Sequence, residues 1–390
     1  MMFKIQTLNN ISVAGLERLP RDRYEVASEI ANPDAILVRS AKMHELPIAP
    51  SVKAIGRAGA GTNNVPVAAM TGRGVAVFNA PGANANAVKE LVIAGMLIAA
   101  RNIAQAWQFS RSLTGDDAAI SQAVESGKKQ FGGFELPGRT LGVIGLGAIG
   151  VKVANAARAL GMKVIGYDPT ITVRRAWQLE SDVQAALSID DLLARSDFVT
   201  FHVPLTDATR HMINAERIQT LPKNAVLLNF SREGILDDAA VVAALDQGHL
   251  YAYCCDFPSN LLKDHPRVVT LPHLGASTRE AEDNCAIMVA DQIRDYLESG
   301  NVTNAVNFPE ICLPFNGDHR LAIVNSNVPN MVGQISTDLA AAGLNIIDML
   351  NRSRGDVAVT LIDVDQRCSD ETLARLQGIS GVLSVRRLGG

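Results

Sequence analysis

No stretch of this sequence constrains the fold more than the run Arg139-Thr-Leu-Gly-Val-Ile-Gly-Leu-Gly-Ala-Ile-Gly150 and its continuation to Asp168. It reads as strand, tight turn, helix and second strand. Gly145, Gly147 and Gly150 supply G-x-G-x-x-G between an apolar strand and an alanine-rich helix, and an acid closes the next strand about 20 residues on. Gly145 allows the sharp turn, Gly147 lets a pyrophosphate approach the backbone, and Gly150 lets helix and strand pack closely. The helix start presents unpaired N–H groups and a partial positive charge to phosphate oxygens. The Asp168 carboxylate accepts from ribose hydroxyls and repels a 2′-phosphate, which favours NAD over NADP. Arg174 and Arg175 lie beyond that acid and read as solvated.

The chain has 390 residues, 47% of them hydrophobic, enough for two or three substantial cores. A net charge of −4 leaves no basic footprint for nucleic acid. The longest apolar run, residues 91–100, is half of the roughly 20 residues a membrane span needs, and the N-terminus lacks the pattern of a signal peptide. Cys254, Cys255, Cys285, Cys312 and Cys368 show no C-x-x-C spacing. They read as reduced thiols of a cytoplasmic protein, with no disulfide and no metal site expected.

Residues 1–85 alternate short apolar strands (3–8, 35–38, 53–56, 75–79) with turns and helices, which predicts a small parallel α/β domain. Within it, Arg57 is followed by Ala-Gly-Ala-Gly, a form suited to an anion-binding nest of backbone amides, with Arg39 and Lys42 adding positive charge. An apolar helix over 86–108 marks the passage to the second domain, and 115–138 reads as a polar loop carrying Lys128 and Lys129. From residue 139 the βα alternation continues with strands at 198–203, 225–230, 250–254 and 268–271. Helix starts are signalled by Ser188 with Asp191 and by Asp237 or Asp238.

In an open parallel sheet the ligand lies off the carboxyl ends of the strands, and three segments end there. Asn229-Phe-Ser-Arg232 brings a guanidinium suited to holding a carboxylate bidentately and polarising the adjacent carbonyl. Cys255-Asp256 brings a carboxylate able to accept a nicotinamide amide. Leu271-Pro-His273 brings an imidazole, which titrates near neutral pH and suits the base for a hydroxyl proton. His44, His202, His211, His249, His265 and His319 read as ordinary structural histidines. The next helix, 278–299, carries Ser277 and Glu280 as its capping signal, and 300–319 reads as a linker.

The fingerprint ending at Asp168, the segment 229–238 and Pro272-His-Leu-Gly-Ala-Ser-Thr278 occur in the order and spacing of the D-isomer-specific 2-hydroxy acid dehydrogenases, and the chain resembles that family. The loop Gly56-Arg-Ala-Gly-Ala-Gly-Thr-Asn-Asn-Val65 is similar to the substrate loop of its phosphoglycerate-oxidising branch. The resemblance implies an active site in a cleft between a Rossmann nucleotide-binding domain (91–284) and a flavodoxin-like substrate domain (1–90 with 285–310). Both domains would be doubly wound parallel sheets. It implies NAD-dependent oxidation of 3-phospho-D-glycerate, with Arg232 and His273 catalytic. Cofactor contacts are expected from Ala148, Ile149, Asp168, Phe230, Ser231, Arg232, Asp256, His273, Leu274, Gly275 and Ala276, and substrate contacts from Arg57 and Gly59. The family places a glutamate about five residues past the aspartate to bond the histidine; here Asn260 and Leu261 stand there. Another 2-hydroxy acid dehydrogenase, such as a hydroxypyruvate reductase, and an NADH-sensing corepressor-like protein are the competing readings.

Beyond a linker at 311–319, residues 320–390 show the βαββαβ succession of a ferredoxin-like module and resemble the ACT domain. That resemblance implies an amino-acid effector such as L-serine near Asn325, Asn327 and Asn345, and a homodimer or homotetramer. Asn330 stands where the ACT turn has glycine.

Overall fold

The structure, a computed structural model, describes residues 2–389, which form two compact units. One runs up to Asn84 and resumes at Glu282; the other is Ala85–Ala281.

The first unit holds two sheets. Strands β1 (Phe3–Leu8), β2 (Tyr24–Ala27), β3 (Ala35–Val38), β4 (Ala54–Arg57) and β5 (Ala76–Phe78) form a parallel sheet in the order β2-β1-β3-β4-β5. β2 was not anticipated from the sequence. It is a four-residue edge strand with an exposed Glu25, too short for its alternation to register.

The order of the second unit's strands sets where a ligand would lie. These are β6 (Thr140–Ile144), β7 (Lys163–Tyr167), β8 (Gln184–Ala185), β9 (Phe198–Phe201), β10 (Ala225–Asn229), β11 (Leu250–Cys255) and β12 (Val268–Thr270). All pair in parallel, in the order β12-β11-β10-β9-β6-β7-β8, so the winding direction reverses between β6 and β9. The central strands are covered on both faces and read as continuous apolar runs for that reason. The helix expected over 86–108 is two helices, Ala85–Ala100 and Ile103–Ser112. They part at Asn102, whose left-handed φ of 50° stops the first. Residues 115–138 are likewise not all loop. Asp116 caps a helix, Asp117–Gly127, and Lys128 and Lys129 sit in the following 3-10 turn, Lys128 beside Glu125.

The C-terminal strands β13 (His319–Ser326), β14 (Ile346–Arg354), β15 (Val357–Val364) and β16 (Val382–Leu388) form an antiparallel sheet in the order β14-β15-β13-β16. Alternate residues of β13 serve two cores. Leu321 and Ile323 pack with Ile335, Leu339 and Leu376 of the module's own helices. Ala322 and Val324 join Phe78, Tyr296, Leu297 and Phe308 in the core of the first unit. The module expected to stand apart is therefore built into that unit. The segment 300–319, expected to be a linker, buries Val302, Phe308, Ile311 and Leu313. Arg320, fully buried, bonds this segment to Asp363 across the sheet.

Candidate active site

Six turns leave the carboxyl ends of the second unit's parallel strands and carry almost every residue singled out above. The register Tyr167↔Ile144↔Phe201 on one side and Asn229↔Cys255↔Thr270 on the other makes those ends level.

After β6 comes the glycine turn. Gly145 has φ +92°, and a Cβ there would sit 2.5 Å from the His202 carbonyl oxygen. At Gly150 a Cβ would lie 1.9 Å from the carbonyl oxygen of Gly145, so helix and turn are in backbone contact. At Gly147 a Cβ would meet nothing within 4 Å. Its hydrogen therefore faces open space at the start of the helix Ala148–Ala159, and no side chain caps that helix. Ala148 and Ile149, in its first turn, are half-buried. Asp168 follows β7. One carboxylate oxygen accepts from Leu146 N–H (2.9 Å), which clamps the glycine turn; the other accepts from the amide and hydroxyl of Thr170.

After β9, the imidazole of His202 bonds Thr200 Oγ1 through Nε2, while its buried Nδ1 finds no hydrogen-bond partner among the described residues. Burial pushes its pKa down to about 3, so it is neutral at physiological pH.

After β10, the buried Asn229 organises the next turn. Its Oδ1 accepts from Ser231 N–H and Oγ–H, and its Nδ2 donates to the Arg232 carbonyl. Phe230 is buried with its ring end where a Cβ on Gly95 would fall. Arg232 is exposed, its Nη1 donating to Ser231 C=O.

After β11, Asp256 is 1% exposed. Its two oxygens accept from Leu274 N–H and Gly275 N–H, both at 2.8 Å. After β12, His273 is exposed and has φ +55°, the left-handed region, at a cost of about 1 kcal/mol. Its ring meets Phe257 edge-on at 5.3 Å. Asn260 is exposed and makes no hydrogen bond to His273 among the described residues. An aromatic ring thus stands beside the imidazole. The helix Arg279–Ser299 is capped by Thr278, whose Oγ1 accepts from Ala281 N–H, and not by Ser277.

Arg57 and Gly59 lie in the first unit. Arg57 Nε donates to the Arg39 carbonyl, which also accepts from Asn64 Nδ2. A Cβ on Gly59 would fall 1.8 Å from Arg57 Nη1, so only glycine seats this guanidinium. The amides of Ala58 and Gly59 donate to the carbonyls of Val38 and Arg57. These two amides are therefore not open to an anion. Arg39 is paired with Glu282.

In the C-terminal sheet Asn325 is buried, its Oδ1 without a hydrogen-bond partner among the described residues, and Asn327 donates to the Gly355 carbonyl. Asn345 pairs with Asp365, at the far end of β15. Val357 and Val364 bound that strand, so the two groups are about 20 Å apart in one copy. One protomer does not bring the three asparagines together.

Two features escaped sequence reasoning: the double use of the Asp256 carboxylate, and Asn229 as the organiser of the Arg232 turn. A short polar residue closing an apolar strand was the only signal for either.

Comparison with known proteins matches residues 93–275 to the D-isomer specific 2-hydroxyacid dehydrogenase NAD binding domain. The D-3-phosphoglycerate dehydrogenase of Methanocaldococcus jannaschii is 40% identical over 298 residues, 74% of this chain and 54% of that protein. The Haemophilus influenzae D-3-phosphoglycerate dehydrogenase is 32% identical over 352 residues, 87% of this chain and 82% of that one. The chain thus spans about half the length of the first of these relatives. Among solved structures, an NAD+-bound 3-phosphoglycerate dehydrogenase from Entamoeba histolytica superposes with a TM-score of 0.60 at 26% identity, covering 79% of this chain and 99% of that one.

Proposed function

The chain belongs to the D-isomer specific 2-hydroxyacid dehydrogenase family, and from that membership we propose that it oxidises 3-phospho-D-glycerate to 3-phosphohydroxypyruvate with NAD. The observation that carries the reading is the level row of turns: a glycine turn with open space at Gly147, then Arg232 and His273 beyond the switch point of the same sheet. The residues fit a dinucleotide. Gly147 and the uncapped helix start at Ala148 and Ile149 are suited to hold a pyrophosphate, and Asp168 a ribose. When bound, NAD supplies the hydride acceptor.

The chain's own groups do the rest. Arg232 pairs with the substrate carboxylate and polarises the carbon–oxygen bond that becomes the ketone. His273, as neutral imidazole, takes the hydroxyl proton as the hydride leaves and returns it in the reverse direction. Arg57, with Gly59 leaving room for it, is assigned to the substrate's anionic end. The domain roles follow: residues 91–284 bind the cofactor, 1–90 with 285–310 the substrate, and 320–390 form an ACT-type module. An L-serine effector of that module requires two copies, because Asn327 and Asn345 stand at opposite ends of one.

The test is NADH absorbance on adding phosphohydroxypyruvate, beside hydroxypyruvate and glyoxylate. A preference for the phosphorylated acid of about tenfold or more in kcat/KM supports the reading. Equal or better turnover of the plain acids assigns the chain to another branch of the family, and no turnover with tight NADH binding favours a sensor.

A further inference from the structure

We propose that Asp256 is a positioning residue, which holds His273 in its left-handed conformation by accepting the amides of the two residues that follow it. This rests on the reading of His273 as the base. A carboxylate at this strand end is the group expected to meet the nicotinamide amide, yet in the structure its two oxygens are divided between Leu274 N–H and Gly275 N–H. Both contacts are 2.8 Å, the length of charge-assisted hydrogen bonds, and the carboxylate is 1% exposed. The backbone of the same residue closes the arrangement. His273 N–H is shared between Leu271 C=O (3.0 Å) and Asp256 C=O (3.2 Å), and Asp256 N–H donates to Asn229 C=O (3.1 Å).

The arrangement explains how a side chain with a Cβ persists at φ +55°. A left-handed residue survives where its surroundings over-determine it. Here the two amides after His273 both point at the Asp256 carboxylate, and the His273 amide is shared between the carbonyls of Leu271 and Asp256. Phe257, next in sequence to Asp256, sets its ring against the imidazole. Asn229, whose carbonyl receives Asp256 N–H, holds the Arg232 turn with its side chain. One buried pair, Asn229 with Asp256, thus fixes the turns of both proposed reacting groups. Asparagine at 256 has the same shape, but its amide nitrogen cannot accept, so one of the two N–H groups loses its partner and the turn relaxes.

The experiment uses the full chain. Asp256→Asn should lower kcat about 100-fold, the scale of a misplacement near 1 Å. The NADH Kd, read by fluorescence, and the KM should move less than about threefold. In a His273→Gln background, Asp256→Asn should add almost nothing, because it acts through the imidazole. Asp256→Glu keeps the charge and both acceptors and should recover part of kcat. A weakening of NADH binding by about tenfold or more with kcat unchanged would make Asp256 a cofactor ligand and overturn the proposal. So would an undiminished effect in the His273→Gln background.

If Asp256→Asn does not fold, hydrogen exchange in the unaltered protein decides. Leu274 and Gly275 amides must be protected, and exchange at exposed-loop rates refutes the clasp. Absence of turnover with every oxo acid would remove the dehydrogenase reading alone. The exchange rates, and the His273 imidazole resonance compared between the unaltered protein and Asp256→Asn, would still report on the turn.

Discussion

Replacing Arg320 with methionine should destabilise the first unit far more than any surface change. Its guanidinium is fully buried and makes five hydrogen bonds with its five N–H groups: Nε to Asp363 Oδ1, Nη2 to Asp363 Oδ2 and to Pro314 C=O, and Nη1 to Ser299 C=O and Leu313 C=O. It also lies 4.5 Å from the Phe315 ring centroid. Methionine restores the apolar volume but leaves three carbonyls without this donor and a carboxylate, 19% exposed, without its cation. Removing one partner of a buried ion pair costs about 3–5 kcal/mol. With a urea slope of about 2 kcal/mol/M, that lowers the midpoint by roughly 2 M. Lysine, with three donors on a point charge, should recover less than half. The loss should appear in the far-UV circular dichroism transition. A cost below about 1 kcal/mol would refute the view that this residue sews residues 299–314 to the C-terminal sheet.

Gly147→Ala should leave thermal stability unchanged, since nothing of the protein is within 4 Å of the added methyl, and should weaken NADH binding about tenfold or more by fluorescence titration. Gly150→Ala, by contrast, drives backbone against backbone and should lower the melting temperature as well as abolish binding. Gly59→Ala displaces the Arg57 guanidinium and should raise the KM for the phosphorylated substrate about tenfold with NADH affinity intact, as steady-state kinetics would show. His202 contributes an acid sensitivity. Its folded pKa, about 3, lies below the ordinary value of 6.5, so as pH falls from about 6.5 towards 3 the unfolded chain takes up a proton that the folded chain refuses. Stability drops through that window and recovers as pH rises. His202→Gln should flatten the slope of the urea midpoint against pH, by up to about 1.4 kcal/mol per pH unit.

The parallel sheets were legible from the chain alone because buried strands announce themselves as short apolar runs, and most of the expected bounds lie within a residue or two of those observed. The weak places have local causes. β2 is an edge strand of four residues. The break at Asn102 rests on a single left-handed residue inside an apolar run that reads as unbroken helix. Thr278 displaced Ser277 as the cap by one position, which a pattern of polar residues cannot distinguish.

The sequence by itself determined the glycine turn, the acid after β7, and the placing of an arginine and a histidine at strand ends, because each follows from contacts within a few residues of the chain. Only tertiary structure decided how those groups are held. Asp256 bonds amides 18 and 19 residues away, Asn229 receives the Asp256 amide from the neighbouring strand, and Arg320 reaches Asp363 across the sheet. The same holds for the C-terminal sheet, whose second apolar face reads as part of a separate module until the first unit's core is seen against it. A hydrogen-bond donor carries in its own residue type no mark of which distant acceptor will meet it. That pairing is set by strand order and register, which arise only when the sheet assembles.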